Sequence, residues 1–318
     1  MNAFIAPKMR LDGTFLQLKS EHKQWRSEDW KQLFDYFRAI QLNTLIIQWT
    51  VHDEVAFTAS GSSGEASAST LDMLLEEADR NGMQVFVGLV SDSDFWKRIE
   101  QPPENVRLYL DDLRKRTLDL ATQLLPLVRG RASFKGWYIP EEIDDVNWVG
   151  AEARQILLDH MSELCSSLKK WIPGKDIALS GFSNGNLSPA SLQALWIELL
   201  GRAEVDIVMF QDGVGVHKLS LEMLPSYLEA LRQALDMVGR DLYVIIEIFR
   251  STNTRNHRED RFQAVPAAFE HIRQQLKTAS PYAENLIAFS VPEYMTPFGG
   301  IAAARLFERY QQAITDPK

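Results

Sequence analysis

FKGWYIPEE (134–142) and DLYVIIEIF (241–249) decide how this 318-residue chain reads. Each is a short apolar run that carries an acid at its tail end: Glu142 in the first, Glu247 in the second. Short runs rich in β-branched and aromatic residues, each followed by an amphipathic stretch, predict strands that alternate with helices. Six more runs flank these two: DGTFLQL (12–18), NTLIIQWTV (43–51), MQVFVGLV (83–90), DIALSGF (176–182), VDIVMFQDG (205–213) and NLIAFSVPEYM (285–295). The two acids therefore stand on the fourth and seventh of eight. Such alternation implies parallel strands with right-handed crossovers. An open doubly wound sheet can also be drawn, but eight units without a ninth favour closure. The expected fold is a single α/β domain over residues 1–318, a (β/α)8 TIM barrel, with its active site at the carboxyl ends of the strands.

The segments between the runs support this reading. In SEDWKQLFDYFRAIQ (27–41), Trp30, Phe34 and Phe37 share one helical face. Helices are also expected over 70–82, stopped by Gly82, over 104–128, and over 149–171, ended by Pro173 and Gly174. Ser188 before Pro189 signals another helix start, and Pro225 a first-turn boundary. Further helices are expected over 261–278 and from Gly299-Gly300 to the chain's end. Only the Ser/Gly/Ala-rich loop at 58–69 is of low complexity, and no proline- or glycine-rich linker divides the chain.

Composition narrows the function. The chain is 45% hydrophobic and 24% charged, with a net charge of −9. This balance disfavours nucleic acid, which needs basic patches, and polyanionic sugars unless the cleft is locally basic. The one cysteine, Cys165, lies in an amphipathic stretch and reads as a half-buried structural thiol. No intramolecular disulfide is possible. MNAFIAPKMR lacks an apolar core of signal-peptide length, and no apolar window is long enough to span a membrane. The expected location is cytoplasmic for the sequence as written, and periplasmic or secreted if a leader has been removed.

Barrel strands should be apolar until their last residues, which face the ligand, so polar and aromatic residues there carry information. They are Gln17, Gln48 and Trp49, Asp92, Glu141 and Glu142, Asn184, Gln211 and Asp212, Glu247, and Glu293 and Tyr294. Glu247 reads as a cleft carboxylate and nucleophile, or else as a buried ion pair with Arg250 or Arg255. Glu141 and Glu142 must point to opposite faces while the strand lasts. Glu142 is read as general acid/base and Glu141 as its alternative; a solvated acidic loop running on through Asp144 and Asp145 is the plainer account. Glu293 is a further alternative nucleophile, a hydroxyl-positioning group or a loop anchor. Gln211 and Asp212, presented by a turn at Gly213 and Gly215, suit hydrogen bonds to hydroxyls. Trp49, Trp96, Trp137, Trp148, Tyr138 and Tyr294 lie at strand ends or beyond them, where indole and phenol rings can stack on sugar faces. Core packing is the competing account for each.

Other chemistries lack support. The histidines form no HxH or HExxH pair, so no metal is expected; His52 and His217 follow strands and could line a cleft. There is no GxSxG elbow, no phosphate-binding loop and no GxGxxG. No organic cofactor is expected either.

Gly-Thr-Phe-Leu-Gln (13–17), Trp30, Leu-Ile-Ile-Gln-Trp (45–49), GWYIPEEID (136–144), FQDGVG (210–215), Glu247 and Pro-Glu-Tyr-Met (292–295) resemble a bacterial family of glycoside-hydrolase-like barrels of unknown function. The resemblance spans nearly the whole chain. It implies a (β/α)8 fold and action on, or binding to, a polysaccharide. The chain is also similar to the clan of retaining glycosidases with acids on strands four and seven. There the strand-four acid follows an asparagine, and here Glu141 takes that place.

Three functions are thus expected in descending order. The first is a retaining glycoside hydrolase on a β-linked oligo- or polysaccharide, with Glu247 attacking and Glu142 as acid/base, their carboxyls about 5–5.5 Å apart. The second is a carbohydrate-binding barrel without turnover. The third is a sugar-phosphate enzyme with Gly299-Gly300 as phosphate seat.

Overall fold

The computed structural model describes residues 9–58, 69–253 and 262–315. The low-complexity loop, most of the polar loop at 250–260 and Arg255 lie outside them. Eight parallel strands close into a barrel: β1 (Gly13–Leu16), β2 (Thr44–Ile47), β3 (Gln84–Gly88), β4 (Phe134–Ile143), β5 (Asp176–Gly181), β6 (Ile207–Gln211), β7 (Asp241–Glu247) and β8 (Asn285–Phe289). Each pairs with its sequence neighbours, and β8 returns to β1 through Gly13 opposite Ile287. Asp12 fastens this seam. Its amide donates to Leu286 O at 2.7 Å, and its carboxylate accepts from Leu286 N at 2.9 Å. Tyr310 adds to it, its hydroxyl accepting from Leu11 N at 2.6 Å.

The period-two pleat sorts side chains into two apolar layers. Phe15, Ile46, Phe86, Tyr138, Ala178, Ile207, Met209, Tyr243, Ile245 and Ile287 fill the barrel interior. Their strand neighbours, such as Leu16, Ile47, Val85, Trp137, Leu179, Val208, Val244 and Leu286, point outward and pack under the helices. In α1 (Ser27–Ala39) the buried face is Trp30, Leu33, Phe34 and Phe37, the i, i+3, i+4, i+7 stripe. Ser69 caps α2 (Thr70–Arg80) by accepting from Asp72 N at 3.1 Å, and Gly82 follows with φ of 64°. Three further helices, α3 (Pro103–Val128), α4 (Ala151–Trp171) and α5 (Pro189–Arg202), follow β3, β4 and β5; Ser188 caps α5 through Ser191 N at 3.2 Å. The barrel's second half is covered by α6 (Leu224–Val238), α7 (Phe269–Ala279) and α8 (Ile301–Thr315). No helix among the described residues is long and apolar enough to cross a membrane.

One helix is shorter than expected. Of the stretch 261–278, only the part from Phe269 is helical. Ala264–Pro266 instead pairs antiparallel with Phe249–Ser251. Pro266 lacks an amide hydrogen and would break a helix interior there, whereas an edge ladder tolerates it. Pro140 acts comparably in β4, whose pairing with β5 is irregular between Ile139 and Ile143.

Gly136 lets β4 and β5 approach. A Cβ there would lie 2.0 Å from Asp176 O. Gly136→Ala is therefore expected to destabilise the fold by about 1–3 kcal/mol, read as a lower urea midpoint with unchanged slope.

Candidate active site

The interior parity continues past the apolar layers to the mouth. Gln17 is in step with Phe15, Gln48 with Ile46, Glu142 with Tyr138, Gln211 with Met209, and Glu247 with Ile245. Five polar side chains from five strands thus form the layer above the interior core. They interlock: Gln17 Nε2 donates to Gln48 Oε1 at 2.8 Å, and Gln211 Nε2 donates to Glu142 Oε1 at 2.8 Å.

Two hollows meet at Glu142. One, of about 190 Å³, is lined by Gln48, His52, Ser91, Asp92, Ser93 and Trp96 as well as Glu142. The other, of about 510 Å³, is lined by Trp96, Asp144, Asn147, Phe182, Asn184, Gln211 and Lys218 with Glu142 again. Trp96 and Glu142 are common to both. The surroundings mix aromatic faces with amides and acids, the pattern anticipated for sugar. Trp49 sits beside the smaller hollow, stacked on His52 with ring centres 4.5 Å apart, its indole N–H donating to Leu18 O at 2.8 Å.

Glu247 ends β7 and is 3% exposed. Its Oε2 accepts from Val216 N at 2.8 Å. A Cβ on Gly215 would lie 2.8 Å from Glu247 Cβ and 2.4 Å from Phe249 O, so only glycine permits the loop to close this tightly over the acid. The described residues include no salt bridge between Glu247 and Arg250. Behind Glu247 stands Asp212, 0% exposed. Its carboxylate accepts from Val214 N at 3.1 Å and from Gln275 Nε2 at 2.7 Å. Burial, then the neighbouring Asp212, pushes the Glu247 pKa up; the Val216 amide and Lys218 oppose this. Asp212 is likewise raised by burial against its hydrogen bonds. Burial also raises Glu142, with Lys218 and Gln211 acting in the other direction.

Lys218 was not expected. Its ammonium sits 3.3 Å from the centre of the Phe182 ring. Burial lowers its pKa, while Glu142, Glu247, Asp144 and Asp145 all act to raise it. It is the charge that both mouth glutamates feel. The only sequence signal was position: Lys218 follows Gly213 and Gly215 in the loop after β6, beyond the polar strand-end residues themselves.

Several sequence-predicted residues lie elsewhere. Glu141 is 3% exposed, with His160 Nε2 of α4 3.5 Å from its Oε1, and it does not share the inward parity of Tyr138 and Glu142. Trp137 is 1% exposed and packs outward against Phe134, and Trp148 is equally buried. Tyr138 is inward but lies below the mouth within the core, its hydroxyl 2.7 Å from Ser180 Oγ. Asp212 faces outward and braces the loop after β6. Of these, Glu141 also lines the smaller hollow, whereas Trp137, Trp148, Tyr138 and Asp212 line neither hollow at Glu142. Glu293 pairs with Lys19 at 3.1 Å and accepts from Ser290 Oγ, so it anchors the end of β8; burial raises its pKa against Lys19. Tyr294 packs on Phe249, ring centres 5.1 Å apart. Gly299 lies against the Glu293 carbonyl, leaving no room for a side chain. The acidic loop after β4 is not solvated. Asp145, 0% exposed, accepts from Ser183 Oγ and Asn184 N, both at 2.7 Å, and from Asn186 N at 2.9 Å. Burial raises its pKa, but these bonds outweigh that and hold it below the usual range. Asp145 thereby positions Asn184. Cys165 is fully buried, and burial pushes its thiol pKa up. Among the described residues no group of three or more His, Cys, Asp or Glu side chains could hold a metal ion.

Comparison with known proteins places this geometry in context. The family described as "Domain of unknown function (DUF4434)" matches residues 11–299. The uncharacterized protein YbcH of Escherichia coli K12 is 30% identical over 220 residues, 69% of this chain and 71% of that protein. Among solved structures, a "putative alpha-L-fucosidase" from Bacteroides thetaiotaomicron superposes with a TM-score of 0.76 at 20% identity, covering 99% of both chains. The endo-1,4-beta-mannanase of Rhizomucor miehei superposes with a TM-score of 0.59 at 13% identity, covering 98% of this chain and 97% of its own. At these identities the likeness is one of fold: glycoside-hydrolase barrels share this architecture.

The buried acids make stability depend on pH. Asp212 and Glu247 have folded-state pKa values above those of the unfolded chain, so the folded protein keeps protons that the unfolded chain releases. Their contribution is complete below the ordinary carboxylate range and is lost as pH rises through the folded values. His22 and His271, lowered by burial, act oppositely below about pH 6.5. Between about pH 6.5 and 8 stability should fall by up to about 1.4 kcal/mol per pH unit for each proton still held. The double variant Asp212→Asn, Glu247→Gln should flatten that slope in urea titrations. An unchanged slope would contradict the assignment.

Proposed function

The chain belongs to the DUF4434 family, and from that premise and the mouth geometry we propose that it is a retaining glycoside hydrolase acting on a β-linked oligo- or polysaccharide. The observation that carries the reading is the pair of inward carboxylates at the ends of β4 and β7, joined electrostatically through Lys218. Glu142 has the properties of a general acid. Burial raises its pKa, as a general acid requires, and Gln211 fixes one carboxyl oxygen, leaving the other to meet the glycosidic oxygen. Its place between two hollows suits a scissile bond with a sugar ring on each side. Glu247 is assigned as the nucleophile. Attack on the anomeric carbon requires its ionised form, which Val216 N–H and Lys218 support against the rise imposed by burial and Asp212. After the leaving group departs, Glu142 as carboxylate takes a proton from water, and that water releases the sugar from Glu247. Gln17, Gln48, Asn184 and Gln211 supply donors and acceptors for hydroxyls; Trp96 and Phe182 supply apolar faces. The structural neighbours' described activities, α-L-fucosidase and mannanase, support this class of chemistry.

One observation favours a second reading, a barrel that binds carbohydrate without cleaving it. Glu247 is 3% exposed beneath Gly215 and Val216, so a substrate reaches it only if that loop shifts.

A panel of β-linked glycans assayed for new reducing ends separates the two. Under the hydrolase reading Glu142→Gln lowers kcat about 10²–10⁴-fold while glycan binding survives. Glu247→Gln abolishes turnover, and proton NMR of the wild-type reaction shows the first-formed anomer with the substrate's configuration. Binding with no reducing ends in the wild-type protein would leave only the second reading.

A further inference from the structure

A third cavity, of about 710 Å³, is larger than either hollow at Glu142 and distinct from both. It lies between the loops after β6 and β7, on the same face of the barrel. Most of its wall surface is apolar, from residues such as Val214, Leu219, Leu221, Met223 and Phe249, although Ser220, Glu222, Arg250 and two histidines also line it. Met223, Phe262 and Val265 expose 42%, 53% and 40% of their surface. Met223 lines the cavity, Phe262 packs on Phe249 at 5.6 Å, and Val265 pairs with Arg250.

Two features connect this chamber to the mouth. Lys218 lines both it and the larger hollow at Glu142. Gly215, which belongs to its wall, lies against Glu247 on the other side. The chamber and the larger hollow at Glu142 are therefore neighbours, with Lys218 in the wall of both. The chemistries of the two compartments differ. Around Glu142, flat rings and amides match the C–H faces and hydroxyls of a sugar. The chamber offers mainly flexible aliphatic surface, which matches a hydrocarbon, with polar groups such as Ser220 and Glu222 also in its wall. An anionic link between the two parts is disfavoured, because four carboxylates already face Lys218.

We infer that the chamber is a binding subsite for the apolar portion of an amphipathic glycoside, an alkyl or acyl chain carried by a neutral sugar seated at Glu142. The sugar's place rests on the reading of the mouth given above; the chamber's chemistry does not.

Binding of a series from butyl to octyl β-D-glucoside, each below its micelle concentration, tests this by calorimetry on the full chain. Affinity should rise about two- to fourfold per added methylene until the chamber fills. Leu221→Asp and Ala268→Trp, which change a partly exposed and an exposed lining residue, should each flatten the series. Trp96→Ala should weaken every glucoside alike and leave 1-octanol unaffected. A series with no chain-length dependence overturns the inference. So does a dependence that survives both chamber variants, or 1-octanol binding as tightly as octyl glucoside. A chain-dependent gain in a protein that cleaves no glycan supports the chamber and sinks only the hydrolase reading.

Discussion

The alternation of side chains along eight closed strands is the constraint on which the rest of the molecule depends. In a closed barrel every strand shares one interior, so parity alone decides which residues meet. Phe15, Tyr138, Met209 and Ile245 share it. So must Gln17, Glu142, Gln211 and Glu247, one pleat or two nearer the mouth. The same rule sends Glu141 and Asp212 outward, although each is the immediate neighbour of a mouth residue. A one-residue slip in β4 would exchange Glu142 for Glu141 and place the acid/base candidate under a helix. The close contact of Gly136 with Asp176, which leaves no room for a Cβ, opposes such a slip in β4.

This explains what could be read from sequence. The eight runs were legible because buried parallel strands are continuously apolar and their helices carry a 3.6-residue stripe. Glu142 and Glu247 stood out because an acid at the end of such a run is costly unless something receives it. Parity within a run is also legible, but only where the run is regular. Pro140 obscured it in β4, so Glu141 and Glu142 could not be separated until the register past Ile139 was known. Trp137 and Tyr138 failed as ligand residues for a related reason. They sit mid-strand, where one faces the helices and the other the filled core, and their composition resembled that of a mouth residue without its height. Lys218 was invisible because its role comes from a loop path, and loop paths follow no period.

The acids of the β4 end show how similar residues acquire different states from their surroundings. Asp145 accepts hydrogen bonds from three backbone amides and a hydroxyl, among others, and stays ionised at full burial. Glu142, in the irregular stretch between the ladder positions Ile139 and Ile143, has one amide donor and a lysine at a distance, and its pKa is raised. The difference is the number of donors supplied, not depth. It also divides labour: Asp145 fixes the loop that carries Asn184, whereas Glu142 is left with an uncommitted oxygen facing the cleft. A run of four acids that looks uniform in sequence thus contains one anchor, one outward partner of His160 and one reactive candidate.

Glu247 and Asp212 pose the harder electrostatic problem, two carboxyls in one dry region beside Lys218. Both cannot ionise together without a large cost. Burial raises both, and the neighbouring Asp212 adds to the rise at Glu247, so the two titrate as one unit above the ordinary carboxylate range. Donors decide how well each receives a charge: Val214 N–H and Gln275 Nε2 serve Asp212, while Val216 N–H and Lys218 serve Glu247. The proposed attack on an anomeric centre would need the charge on Glu247, the inward member, with Asp212 as a brace for the loop that covers the site.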